Sequence, residues 1–210
     1  MEVDRGPMRV ALFCGSPGRP SARPGANLAA LRAVQAVLSE RGAKCVETAD
    51  VAEVPAFRAE DVDNAPSIVR AMRIIFESVD AVVLATPEFG GGAAGAAKNA
   101  LDWMVGSGSL YERPCFVMTA GTTGGANAIE QIARTLTWQG AVVMATLGIA
   151  TPRAARDEIG HFTDGGSLRA FRQLAEAVLA SRTMTELARR SAAAETVRAL
   201  GIDPDRRSGR

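Results

Sequence analysis

An apolar run, Val10–Cys14, feeds directly into Gly15-Ser16-Pro17-Gly18-Arg19-Pro20-Ser21-Ala22-Arg23-Pro24-Gly25-Ala26, and a helix-forming segment starts near Asn27. These residue types suit a phosphate group. A helix N-terminus presents free amides and about half a positive charge, so a dianion placed there is well stabilised. Ser16 and Ser21 add hydroxyl donors, and Arg19 and Arg23 add guanidinium groups. Gly15 allows a sharp backbone turn at the strand end. The same stretch also reads as a proline-stiffened surface loop in which Asn27 is a simple N-cap.

A second loop follows the apolar block Asp80–Thr86 and reads Pro87-Glu88-Phe89-Gly90-Gly91-Gly92-Ala93-Ala94-Gly95. Residues 90–95 fit G-x-G-x-x-G, but a dinucleotide fingerprint follows the first strand of its unit and has an acidic residue about 20 positions on. The next strand here ends at Met118-Thr119-Ala120 with nothing acidic, so the match is set aside. A third loop, Gly121-Thr122-Thr123-Gly124-Gly125, is built of small residues whose backbone can pass close to a planar ring or a second ligand. Without a ligand it reads as a flexible βα turn with a threonine cap. The only histidine, His161, falls in a loop expected on the far side of the fifth strand and reads as a surface residue. No Ser–His–Asp arrangement, carboxylate pair or metal-ligand spacing is present.

Five runs rich in β-formers must position these loops: Met8–Cys14, Ala43–Thr48, Asp80–Thr86, Pro114–Ala120 and Ala141–Leu147. The first, third and fourth are nearly continuous apolar blocks, as parallel strands covered on both faces require. Helix-like segments alternate with them at Asn27–Glu40, Pro66–Ser78, Ala94–Val105, Asn127–Gln139 and Ser167–Ala180. Met184–Leu200 reads as an extra, weakly amphipathic helix before a frayed tail. Fivefold strand–helix alternation with no hairpin signal predicts a doubly wound parallel sheet. Right-handed crossovers then gather the three loops at the carboxyl edge, where such sheets bind ligands.

The 210 residues suffice for one well-buried α/β domain. A net charge of +1 gives no basic stripe for nucleic acid, and no nucleic-acid or membrane partner is expected. The longest apolar stretch, Gly140–Ala150, is shorter than the roughly 20 residues a bilayer needs. The acidic, proline-containing start lacks the apolar region of a signal peptide. Cys14, Cys45 and Cys115 form no CxxC pair, and an odd number of thiols in apolar runs suits a reducing compartment. A cytoplasmic protein is expected.

The run Lys98-Asn99-Ala100-Leu101-Asp102-Trp103, with Pro87-Glu88-Phe89 before it and Gly15, Ser16, Arg19, Ser21 and Asn27 in the first loop, resembles the NADPH-dependent FMN reductase family. That family commonly reads Gly-Ser-x-Arg, then Ser-x-Asn, then Pro-Glu-Tyr-Asn, then Leu-Lys-Asn-Ala-Ile-Asp-Trp. The resemblance runs from about Met8 to Ala180 and includes the turn Asp164-Gly165. Three departures stand out: Phe89 replaces the usual tyrosine, Gly90 the usual polar residue, and the first loop is longer than the family's. From the residues alone, Lys98–Trp103 reads as helix packing with Lys98 and Asp102 as an i,i+4 pair.

The resemblance implies a flavodoxin-like domain over 8–182, with a five-stranded doubly wound sheet and helices on both faces, and a C-terminal helical extension and tail over 183–210. It implies FMN as cofactor and NADPH or NADH as co-substrate. Ser16, Arg19, Ser21, Arg23 and Asn27 would hold the phosphate, and backbone amides of Glu88 and Phe89 the pyrimidine edge of the ring. Pro87 and Gly90 complete the ring loop, and Thr119, Gly121, Thr122 and Gly124 border the flavin from the third loop. No metal is expected and no side chain is assigned as catalytic, because flavin N5 itself accepts hydride. Family members commonly dimerise through the region of Lys98–Trp103, so a homodimer or homotetramer is expected. The implied activity passes hydride from NAD(P)H through the flavin to a small acceptor such as a quinone, azo or nitro compound, metal oxyanion or free flavin. A flavodoxin-type electron carrier and a flavodoxin-like interaction module without turnover are the alternatives.

Overall fold

The computed structural model describes residues 6–18, 23–150 and 156–204. In chain order the elements are β1 (Arg9–Cys14), α1 (Ala26–Glu40), β2 (Lys44–Glu47), α2 (Ser67–Glu77), β3 (Ala81–Ala85), β4 (Glu88–Phe89), β5 (Gly92–Ala93), α3 (Gly95–Asp102), β6 (Pro114–Gly121), α4 (Ala126–Trp138), β7 (Val142–Ala150), α5 (Gly165–Ser181) and α6 (Glu186–Ala199). Five strands form one sheet in the order β2-β1-β3-β6-β7, every pair parallel. That is the flavodoxin-like order, with its switch point between β1 and β3.

Side chains of one strand alternate between two cores. On β1, Val10 and Leu12 face the layer of α1 and α5, where Leu31, Val34, Leu38, Phe171 and Leu174 are buried. Ala11 and Phe13 face α2, α3 and α4, with Met72, Phe76, Leu101, Ile132 and Leu136. Burial on both faces is why these strands read as apolar blocks instead of an alternating pattern.

Two features differ from the sequence reading. β4 and β5 form a small antiparallel hairpin where no hairpin was expected. β7 continues past Leu147 to Ala150, pairing with Thr119–Gly121, so the sheet reaches the third loop. Helix α6 lies along β7, the outer strand on that side. Thr196 Oγ1 donates to the Met144 carbonyl at 3.0 Å, Arg190 pairs with Glu112 at 3.2 Å, and Val197 is buried. A covered edge is a poor template for adding a foreign strand. No helix among the described residues is long and apolar enough to cross a membrane.

The turn after β1 works by close approach and not by an unusual dihedral, which corrects the sequence reading of Gly15. Its φ lies outside the left-handed region. Its N–H donates to the Ala85 carbonyl at 2.7 Å, and a Cβ there would sit 2.6 Å from Cβ of Ala97 on α3. Gly15→Ala should therefore overpack the junction and destabilise the protein by about 1–3 kcal/mol in urea unfolding. Adding Ala97→Gly should recover part of the loss. A Gly15→Ala variant as stable as the parent would show that the junction is loose.

Candidate functional site

The first loop leads into α1, whose N-cap is Gly25, with no side-chain cap and no acidic residue in its first turn. Among the described residues no side chain caps its leading amides. Ser16 is half-buried at the mouth of this loop, and Arg19 and Ser21 lie outside the described residues. Arg23 donates to the Asp157 carbonyl at 3.0 Å. Asn27 is not the N-cap: it is buried in the first turn, and its Oδ1 accepts from the Ala120 amide at 2.8 Å. That bond pins the start of α1 to the end of β6. A groove of about 510 Å³ borders the loop, between Ser16–Gly18 and the Glu47–Asp50 end of β2.

The second loop is the β4–β5 hairpin. Gly90 and Gly91 occupy its two-residue turn with φ +60° and +76°, the geometry of a type I′ turn. This accounts for the Gly90 departure, since asparagine and glycine both adopt the left-handed region readily. Phe89 stands 62% exposed beside the turn, and Pro87 is buried. The Glu88 side chain crosses to α4, accepting from the Ala128 amide at 3.1 Å and lying 3.4 Å from Asn127 Nδ2. On the other strand the Ala93 amide donates to Gln131 Oε1 at 2.8 Å. The hairpin is fastened to α4 at both sides.

The third loop, Gly121–Gly125, joins β6 to α4. Thr122 and Thr123 are exposed, and Gly125 is the N-cap with φ +69°. Thr119 is buried below the loop, and its hydroxyl donates to the Gly124 carbonyl. Its side chain shapes the loop from beneath. No threonine side chain caps α4; the carboxylate of Glu88 lies at that helix end, where the dipole favours it. Helix α5 is capped in the same sense by Asp164, whose Oδ1 accepts from the Ser167 amide at 2.7 Å. That amide, helped by the Ser167 hydroxyl, holds the Asp164 carboxyl below the usual carboxylate range.

A fourth segment joins the site: residues 156–162, after β7, form a bridged turn in which Arg156 pairs with Phe162. It does not lie away from the first loop, because Arg156 Nη1 donates to the Pro24 carbonyl at 2.8 Å. His161 in this turn is exposed. Arg156, Gln131 and the capping role of Glu88 are absent from the sequence reading, since each acts across elements far apart in the chain. Of the cysteines, Cys115 is buried with its thiol pushed up to about 12 by burial. Cys14 and Cys45 are half-buried and also raised, chiefly by burial. Low thiolate content makes all three poor nucleophiles near neutral pH.

These residues fit FMN. An uncapped helix end flanked by Ser16 and arginines suits the phosphate, while α4 and α5 have a carboxylate at the corresponding end. Two small-residue backbone loops and the exposed Phe89 suit a planar ring.

Residues 8–155 match the family described as NADPH-dependent FMN reductase. An NADPH azoreductase of Bacillus sp. (strain OY1-2) is 29% identical over 83 residues, which are 39% of this chain and 47% of the relative. The chain thus spans about half the length of that curated relative. The flavoenzyme NAD(P)H:(acceptor) oxidoreductase FerB of Paracoccus denitrificans has the same fold, with a TM-score of 0.70 at 23% identity over 83% of this chain and 97% of that one. An NADH:FMN oxidoreductase in its apo form gives 0.57 at 15% identity, over 87% and 94%. With the family match extending from before β1 to beyond the end of β7, the chain belongs to the NADPH-dependent FMN reductase family of flavoprotein oxidoreductases.

Proposed function

We propose that the protein is an NAD(P)H-dependent, FMN-containing oxidoreductase that reduces a small acceptor in the cytoplasm. The observation that carries this reading is the contrast at the carboxyl edge. Helices α4 and α5 present carboxylates at their amino ends, whereas α1, beside Ser16 and Arg23, presents none. An anion is favoured at α1 and disfavoured beside the other two. When bound, the flavin supplies hydride transfer at its N5. The chain binds the phosphate at α1 and holds the ring between Pro87–Gly90 and Gly121–Gly124. NAD(P)H and acceptor would reach a ring held by these loops in turn. Quinones, azo and nitro compounds, metal oxyanions and free flavin all suit an open face, and the Bacillus azoreductase supports the azo class. A carrier that docks on protein partners ordinarily uses a strongly acidic surface, and a net charge of +1 does not supply one.

We also propose a homodimer through α3, α4 and the segment after α3. Tyr111, Trp138 and Val105 are 63%, 58% and 47% exposed around a groove of about 700 Å³. Exposed aromatic groups in one groove are typical of a covered interface.

The purified protein is expected to be yellow, or to take up about one FMN per chain, with absorption near 450 nm that anaerobic NADPH bleaches. Initial-rate plots against NADPH and a quinone should give parallel lines. A colourless chain that binds no FMN would leave the interaction module as the reading; a flavin that NADPH does not bleach would favour the electron carrier.

Glu88→Gln should weaken the tie between the ring loop and α4 by removing the charge at the helix end. A loss of about 0.5–1.5 kcal/mol in stability is expected, with FMN affinity falling several-fold. Unchanged values for both would show that the tie does not organise the site. Trp138→Glu should shift the sedimentation of the protein from dimer to monomer; a variant that remains dimeric would place the interface elsewhere.

A further inference from the structure

The groove of about 510 Å³ beside the first loop extends to the carboxyl end of β2, on the side of β1 away from β3. Leu28 and Arg32 of α1 line it on one side, and Glu47, Ala49 and Asp50 on the other, with Cys14 between them. Glu47 is the last residue of β2. All three charged groups act on the Cys14 thiol. Burial pushes that thiol up first, Asp50 and Glu47 add to the rise, and Arg32 opposes it. Among the described residues neither carboxylate forms an ion pair with Arg32. Asp50 Oδ1 accepts from the Ala52 amide at 2.9 Å, which fixes its carboxyl at the turn, while Glu47 and Arg32 are exposed.

A ribose with a free 2′,3′-diol offers two adjacent hydroxyl donors, and a carboxylate at the end of a second parallel strand is well placed to accept them. A 2′-phosphate in the same position meets two carboxylates against one guanidinium, and like charges repel. A guanidinium stacks on a flat aromatic base, and Leu28 and Ala49 add apolar contact. The groove thus has a part for each half of a nucleoside. The ring loops follow β3 and β6, about two strand spacings or roughly 10 Å away, which an extended dinucleotide spans.

We infer that this groove takes the adenosine half of the nicotinamide co-substrate, and that Glu47 and Asp50 select the free diol of NADH over the 2′-phosphate of NADPH. The inference rests on the NAD(P)H-dependent reading above and names the nucleotide it left open. NADPH still reduces the flavin, at a higher KM. The preference runs opposite to the coenzyme in the family's description.

KM for NADH and for NADPH is measured on the full chain at saturating FMN and quinone. The wild type should favour NADH by about tenfold or more. Glu47→Gln with Asp50→Asn removes both charges and keeps a side-chain oxygen for the Ala52 amide. In that double variant KM for NADH rises and KM for NADPH falls, so the two converge. Arg32→Ala should raise both by a similar factor, since it removes a stacking surface common to the two. A wild type with equal or better KM for NADPH, or a double variant that keeps the wild-type ratio, overturns the inference. So does an Arg32→Ala variant that loses NADPH alone, for Arg32 would then hold the 2′-phosphate. If neither nucleotide reduces the wild-type flavin, the reductase reading fails, and calorimetry on the full chain decides the groove separately. Adenosine 5′-monophosphate should then bind, and adenosine 2′,5′-bisphosphate more weakly; no binding of the monophosphate, or equal affinities, overturns the site.

Discussion

Inside a parallel sheet each strand supplies the hydrogen-bond partners of its neighbours, and at the carboxyl edge that supply ends. Any amide or carbonyl left there under packed loops must find a side chain or bear the cost of burial without a partner. In this protein the partners come from other elements. Asn27 of α1 takes the Ala120 amide, and Thr119 of β6 reaches the Gly124 carbonyl. Glu88 of the hairpin takes an amide of α4, and Gln131 of α4 takes an amide of the hairpin. The loops are therefore tied to one another and not merely to the strands that carry them.

Each such bond contributes about 1 kcal/mol net, yet breaking one side costs more, because a buried group is left unsatisfied. The greater benefit lies in binding. Loops ordered before a ligand arrives do not spend binding energy on becoming ordered. Carboxylates at α4 and α5 stabilise those helices and at the same time make their amino ends unattractive to an anion. Helix α1 has no acidic residue in its first turn and no side-chain cap, so among these three helices its amino end lacks that carboxylate.

Sequence and structure agree closely on the elements. The five strand segments and six helices appear within a few residues of their expected bounds, because double-sided burial writes strong apolar blocks and amphipathic stripes into the chain. The two-residue turn at Gly90 and Gly91 was hidden by its own composition: a glycine run reads as a loop whether or not two short strands flank it. Gly15 was read correctly as special for the wrong reason, since the crowding comes from Ala97 on a helix distant in sequence.

Local chemistry determined which loops matter, because strand ends, glycines, serines and arginines are properties of short segments. Periodicity determined the layers, and a motif at residues 98–103 pointed to the family. Only the tertiary structure decided which side chains tie the loops together. Asn27 and Thr119, read as ligand-binding positions, are buried and bonded to backbone, while Arg156 arrives from a turn that no motif marks. The reason is distance along the chain: Asn27 and Ala120 are 93 residues apart, and Arg156 and Pro24 are 132 apart. Contacts of that range leave no periodic trace in a sequence and exist only once the sheet has brought its carboxyl ends together.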